Sequence, residues 1–163
     1  MAQWTVDEAH QRLQSGLAPL VDLRSAEERQ SGGAPHALPL PMVEFDLLGR
    51  QRPVPGFGAA LAALAKAAKA PPMLICAQGL RSRQAAAWLA LQGIACDEVP
   101  GGFEGAEPEL GLPPPLRLGW RAAGLPWVSG ASGGARRGRD DGGDGARSAQ
   151  ATPGESDGGA GGV

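Results

Sequence analysis

One short stretch of the chain combines a strand, a cysteine, a tight loop and a helix. The apolar run Met73–Ile75 ends at Cys76, and the loop after the cysteine contains Gly79. We predict that an alanine-rich helix then begins at Ser82. This order places the thiol at the end of a buried strand, facing the positive end of a helix dipole. Backbone N–H groups and the dipole complement negative charge, so such a position stabilises a thiolate and binds oxyanions.

Short apolar segments alternate with helical segments over most of the chain. Capping boxes that begin at Thr5 and Ser25 predict two helix starts, and the alanine-rich run 57–69 predicts a helix that ends before Pro71. Apolar runs predict strands at 17–23, 38–41, 73–76 and 94–99. This alternation predicts a small α/β domain with a parallel β-sheet and helices on both faces. Ligands bind such sheets at the carboxyl ends of the strands, where Cys76 lies.

The composition changes after residue 128. From Ser129 onward the chain is rich in Gly, Ser and charged residues, and its one large apolar residue is Val163. Such a segment cannot bury enough apolar surface to offset the entropy lost on ordering. We therefore expect a folded domain over residues 2–128 and a disordered tail over 129–163.

Charge and targeting signals narrow the class of protein. The formal net charge is −2 and no basic face is apparent, so nucleic acid is not an expected partner. The N-terminus lacks the pattern of a signal peptide, and no apolar run approaches the roughly 20 residues of a membrane span. We expect a soluble cytoplasmic protein with no membrane partner. In that compartment Cys76 and Cys96 are free thiols, and we interpret Cys96 as a small buried residue.

The length of the cysteine loop separates two chemistries. Four residues lie between Cys76 and Arg81. A cysteine phosphatase needs five intervening residues to encircle a tetrahedral phosphate, and here that spacing leads to Ser82 instead of an arginine. The spacing therefore disfavours a small arsenate or phosphate enzyme. Arg81 closes the loop and is expected to attract an anionic substrate to the thiol.

Five segments carry a family resemblance. They are 4–9 (WTVDEA), 20–24 (LVDLR), 76–82 (CAQGLRS), 99–105 (VPGGFEG), and 119–121 (GWR) with 124–127 (GLPW). Together they resemble a single-domain rhodanese, a thiosulfate-type sulfurtransferase. The resemblance implies a rhodanese-like fold and a two-step reaction with no cofactor and no metal. The thiolate of Cys76 attacks the outer sulfur of thiosulfate or a similar anion, sulfite leaves, and an acceptor takes the sulfur from the resulting persulfide. Cyanide or a thiol, including a protein thiol, would be the acceptor.

The same resemblance assigns roles to individual residues. Cys76 is the catalytic residue, and the substrate-binding residues are Ala77, Gln78, Gly79, Leu80, Arg81 and Ser82, whose N–H groups hold the anionic persulfide. Asp22 and Arg24 are expected to be structural and to pair with a nearby opposite charge such as Glu28. The family's Gly-His-Ile-Pro-Gly-Ala turn is altered at 32–37, and we interpret His36 there as a turn residue.

A second hypothesis keeps the rhodanese-like fold but assigns the chain a different function. In it the chain is a rhodanese-like sulfur-relay or docking module that serves one dedicated protein partner. Weak turnover with small acceptors and rapid transfer to a protein thiol would favour it over the sulfurtransferase. The intact cysteine and loop argue against a purely inert docking module.

Overall fold

A four-stranded parallel sheet forms the centre of the domain. The computed structural model describes residues 5–105, 119–130 and 135–136. Its strands are β1 (Leu20–Asp22), β2 (Leu38–Pro39), β3 (Val43–Phe45), β4 (Gln51–Pro53), β5 (Met73–Ile75), β6 (Asp97–Glu98), β7 (Trp127–Val128) and β8 (Ala135–Arg136). Its helices are α1 (Val6–Gln14), α2 (Phe57–Ala67) and α3 (Leu80–Ala90), with a 3-10 helix at Glu28–Ser31.

The strand order of the central sheet is β2-β1-β5-β6, and all of its pairs are parallel. Leu20 lies opposite Met73, and Asp22 lies opposite Ile75. The strand predicted at 38–41 is present as β2. It is an edge strand, which pairs on one side only and contains Pro39, a residue that has no N–H to donate.

Helices cover both faces of this sheet, which confirms the predicted α/β class. Successive residues of a strand point to opposite faces. One face packs Leu20 and Ile75 against Val6 and Ala9 of α1 and against Trp120. The other face packs β1 and β5 against α2 and α3 through Val21, Leu74, Leu61, Ala85 and Leu89. None of the helices within the described residues is long and apolar enough to cross a membrane.

Both predicted capping boxes are present. The Glu8 N–H donates to Thr5 Oγ1 at 3.2 Å, and the Thr5 N–H donates to the Glu8 carboxylate at 2.7 Å. At the second box, the Glu28 N–H donates to Ser25 Oγ at 3.1 Å and the Ser25 N–H donates to Glu28 Oε2 at 2.9 Å. This second box leads into the 3-10 helix, which ends at Gly32.

One element was not predicted and one helix start is wrong. The antiparallel hairpin β3–β4 lies in a segment for which no helix or strand was predicted, because its strands are only three residues long and none of their residues is buried. The helix predicted to begin at Ser82 begins at Leu80, because Gly79 takes a left-handed conformation and serves as its N-cap. As predicted, His36 lies in a turn, with φ of 61°.

The carboxyl-terminal region is described in part. Residues 120–124 form hydrogen-bonded turns. Val128 and Gly33 exchange two backbone hydrogen bonds of 2.9 Å, which connect this region to the segment that follows the 3-10 helix. β7 also pairs with β8, within the segment predicted to be a disordered tail. The Pro-rich segment 106–117 and most of the predicted tail lie outside the described residues.

Candidate active site

Cys76 lies at the carboxyl end of a central strand. It directly follows β5, which pairs with β1 on one side and β6 on the other, so the thiol lies near the middle of the sheet edge. Its side chain is buried, and the residue is 1% exposed. The position matches the prediction that the carboxyl ends of the strands carry the site.

The loop after Cys76 folds back around the sulfur. The Gly79 N–H donates to Sγ at 3.1 Å, and the Ser82 N–H donates to Sγ at 3.5 Å. The Ser82 hydroxyl lies 3.5 Å from Sγ and donates to the carbonyl of Gly79 at 3.0 Å. Among the described residues, no acceptor is found for four further N–H groups of the loop, those of Ala77, Gln78, Leu80 and Arg81. The loop and the amino-terminal end of α3 thus form an amide cradle suited to an anion.

The six predicted binding residues form the loop and helix start that follow Cys76, and their side chains differ in exposure. Gly79 and Ser82 are buried, whereas Gln78 is exposed and Leu80 is 65% exposed. The Leu80 side chain points away from the core, so its contribution to an anion site is its backbone N–H.

A glycine turn supports the loop from behind. The Phe103 N–H donates to the Cys76 carbonyl at 2.7 Å, and the Glu104 N–H donates to the Ala77 carbonyl at 2.9 Å. A Cβ on Gly102 would lie 2.5 Å and 2.6 Å from these two carbonyl oxygens, and φ of Gly102 is +66°. Only glycine permits this approach without movement. This support of the loop depends on tertiary contacts, which no local sequence pattern records.

Arg81 is bound by a carboxylate from another part of the chain. Its guanidinium makes two hydrogen bonds to Glu28, one of 2.7 Å from Nη1 to Oε2 and one from Nη2 to Oε1. Burial acts to raise the pKa of Glu28, but hydrogen bonds from Arg81 and from the Ser25 N–H outweigh it and hold this pKa below its ordinary value. The bond to Glu28 raises the pKa of Arg81, against the effect of burial, and the charge of Cys76 adds to the rise.

Asp22 and Arg24 form a buried pair, as a structural role requires. Arg24 Nη2 donates to Asp22 Oδ2 at 2.8 Å and to the Gly32 carbonyl at 2.9 Å. The guanidinium also lies over the Phe103 ring, 4.1 Å from its centre. The expectation that Glu28 pairs with these residues is wrong, since Asp22 and Arg24 pair with each other and Glu28 is bound to Arg81.

Two cavities open beside Glu28, the residue that binds Arg81. One of about 200 Å³ is lined by Arg24, Glu27, Glu28, Ser31, Ala77 and Glu104. A larger cleft of about 580 Å³ is lined by Glu27, Glu28, Phe45, Asp46, Leu47 and Gly49, and it reaches the hairpin β3–β4. They share Glu27 and Glu28, so the approach to the cysteine loop is rich in carboxylates. Sequence reasoning missed this, because the residues come from separate segments.

The second cysteine has a different environment. Burial, with the charges of Asp97 and Glu98 adding to it, raises the pKa of Cys96 to about 11. The thiol therefore stays protonated near neutral pH and is a weak nucleophile, which agrees with its interpretation as a small buried residue. Among the described residues there is no group of three or more His, Cys, Asp or Glu that could hold a metal ion.

Comparisons with known proteins place the chain in a family. Residues 5–107, more than half of the chain, match the Rhodanese-like domain. The protein Rv0390 from M. tuberculosis is 27% identical with a TM-score of 0.54, and the match covers 77% of this chain and 96% of that chain. A rhodanese-like domain protein from Staphylococcus aureus is 28% identical with a TM-score of 0.49, and that match covers 69% and 97% of the two chains. The fold is consistent with sulfurtransferase activity. The chain belongs to the rhodanese-like domain family.

Proposed function

We propose that the protein is a sulfurtransferase that carries a sulfane sulfur on Cys76. The observation that supports this most strongly is the amide cradle, in which two N–H groups contact Sγ and four more lack an acceptor among the described residues. A thiolate and a persulfide both carry negative charge at this point, and preorganised N–H donors stabilise such charge at no cost of reorganisation.

In the first half-reaction the Cys76 thiolate attacks the outer sulfur of thiosulfate or a similar anion. A new S–S bond forms at Cys76, the bond within the donor breaks, and sulfite leaves with the electron pair. The terminal sulfur then lies within the loop, where the N–H groups of Ala77 to Ser82 hold it. In the second half-reaction a thiol or cyanide takes this sulfur and Cys76 returns to the thiolate.

Arg81 is proposed to assist donor binding, and its pairing with Glu28 sets a condition on this role. The guanidinium lies in the loop but is neutralised by the Glu28 carboxylate. An anionic donor must therefore compete with Glu28 for Arg81, or bind through the N–H groups alone. A dianion will therefore bind more weakly at Arg81 than it would at an arginine with no carboxylate partner.

Steady-state kinetics test the proposal. With thiosulfate as donor and cyanide as acceptor, wild type should release sulfite, and its double-reciprocal plots should be parallel because the covalent intermediate separates the half-reactions. Cys76→Ser should release none, while Cys96→Ala serves as the matched control and should retain activity. A Cys76→Ser variant with wild-type turnover would overturn the proposal.

A further inference from the structure

The smaller cavity, which we call the side pocket, combines a small volume with charged lining residues. It encloses about 200 Å³ and includes Ala77, the residue directly after Cys76. Sites for drug-sized ligands are typically ~300–1,000 Å³. The side pocket therefore suits a molecule of the size of one amino acid, bound at the start of the cysteine loop.

A buried guanidinium nitrogen provides a hydrogen-bond donor for an anionic group. Nε and Nη2 of Arg24 are bonded to Asp22, and Nη2 also donates to a carbonyl. Nη1 is buried and has no hydrogen-bond acceptor within the described part of the chain. Glu104 Oε1 lies 3.9 Å from Nη1, beyond hydrogen-bond distance, and Glu104 lines the side pocket as Arg24 does. A carboxylate bound there would satisfy a donor that is otherwise costly to bury.

Carboxylates provide the negative charge. Glu28 is neutralised by Arg81, and Glu104 contacts Arg121 at 3.1 Å. Glu27 is exposed and forms no ion pair with another described residue. It is therefore the carboxylate that a bound cation would meet. A free dianion would be repelled by these groups, so the side pocket is unsuited to a thiosulfate-like donor.

We propose that the side pocket binds the amino and carboxylate groups of a small amino-acid thiol, cysteine being the simplest, which accepts sulfur from Cys76. This inference rests on the proposed sulfurtransferase function. Arg24 Nη1 donates to the carboxylate of the acceptor, and Glu27 pairs with its ammonium group.

The transfer step is balanced without a further reagent. The acceptor thiolate attacks the terminal sulfur of the persulfide, and a new S–S bond forms in the acceptor. The S–S bond at Cys76 breaks, and its electron pair returns to Sγ as a thiolate. The products are the free enzyme and the persulfide of the amino acid, and no external oxidant or reductant takes part.

Single-turnover transfer from the persulfide-loaded protein tests the ammonium contact. The acceptors are cysteine, cysteamine, which lacks the carboxylate, and 3-mercaptopropionate, which lacks the ammonium group. Each thiol is compared between wild type and Glu27→Gln, so that differences in intrinsic thiol reactivity cancel. We expect Glu27→Gln to slow cysteine and cysteamine roughly three- to fivefold and not to slow 3-mercaptopropionate, for which the substitution removes only a repelling charge. The control Asp7→Asn removes an exposed carboxylate on α1, outside the side pocket, and should change none of the rates.

The carboxylate contact is tested without altering the buried Arg24. L-Serine, which has both charged groups but no thiol, should inhibit transfer to cysteine competitively, and ethanolamine, which lacks the carboxylate, should inhibit far less. Equal effects of Glu27→Gln on all three thiols, or equal inhibition by serine and ethanolamine, would overturn the proposal. Loading of Cys76 is measured in the same samples. A wild type that forms no persulfide would contradict the sulfurtransferase function itself, and the acceptor site would be rejected with it.

Discussion

Replacement of Gly102 by alanine should damage both stability and the cysteine loop. The new Cβ would lie 2.5 Å from the Cys76 carbonyl oxygen and 2.6 Å from that of Ala77, well inside van der Waals contact. Both oxygens accept hydrogen bonds from the residues after Gly102, so they cannot move away without weakening those bonds. A left-handed residue with a Cβ costs ~1–2 kcal/mol, and overpacking costs a further ~1–3 kcal/mol. The expected loss is ~2–5 kcal/mol, a large part of the ~5–15 kcal/mol typical of a domain.

Gly93→Ala is the matched control. Gly93 follows α3 with φ of +70°, but a Cβ there would meet no atom within 4 Å. This variant should lose only the backbone cost of ~1–2 kcal/mol. Urea denaturation measures both variants. For those that fold, the rate of persulfide formation should fall ~100-fold in Gly102→Ala, as a loop displacement of about 1 Å can produce, and stay near wild type in Gly93→Ala. Equal stabilities and equal rates for the two variants would refute the role assigned to Gly102.

Three further predictions concern charges and thiols. Asp22→Ala should lower the free energy of unfolding by ~3–5 kcal/mol, because it leaves the buried Arg24 charge uncompensated; a loss under ~1 kcal/mol in chemical denaturation would contradict this. In the folded protein the pKa of Glu28 lies below its ordinary value of 4.5. Ionised Glu28 therefore stabilises the protein fully at a pH above this ordinary value, and the stabilisation is lost as the pH falls through the lower pKa of the folded state. The difference in unfolding free energy between wild type and Glu28→Gln should therefore shrink from neutral pH to about pH 3, and a constant difference would argue against the pair. Burial raises the pKa of Cys96 to about 11, so iodoacetamide should leave this thiol unmodified in the native protein near neutral pH. Modification of Cys96 under these conditions, measured by peptide mass, would contradict the buried environment described for this thiol.

The elements that could be predicted are those with local signals. The capping boxes at Thr5 and Ser25 are hydrogen-bonded as expected, and the apolar runs before Asp22 and Cys76 form the two central strands. Each signal lies within a few residues of the element that it specifies. The alternation of strands and helices was enough to predict the parallel sheet, because the preference for right-handed crossover connections allows few other strand arrangements.

The features that were missed depend on residues far apart in the chain. Glu28 and Arg81 are 53 positions apart, and their contact follows from the order of the strands. The loop sequence alone presented Arg81 as an unpaired cation. The role of Gly102 likewise depends on the distance between two turns, which no local pattern records. The hairpin β3–β4 was missed for a different reason, since its strands are only three residues long and none of their residues is buried.

The most direct test of the account is the mass of the protein after incubation with thiosulfate. Wild type and the Cys96→Ala variant should each gain about 32 Da, the mass of one sulfur atom, and Cys76→Ser should gain none. Peptide mapping should place the added sulfur on Cys76, and cyanide should remove it. A gain in Cys76→Ser equal to that in wild type, or no gain in wild type with a reactive Cys76 thiol, would contradict a thiosulfate-fed persulfide on this residue.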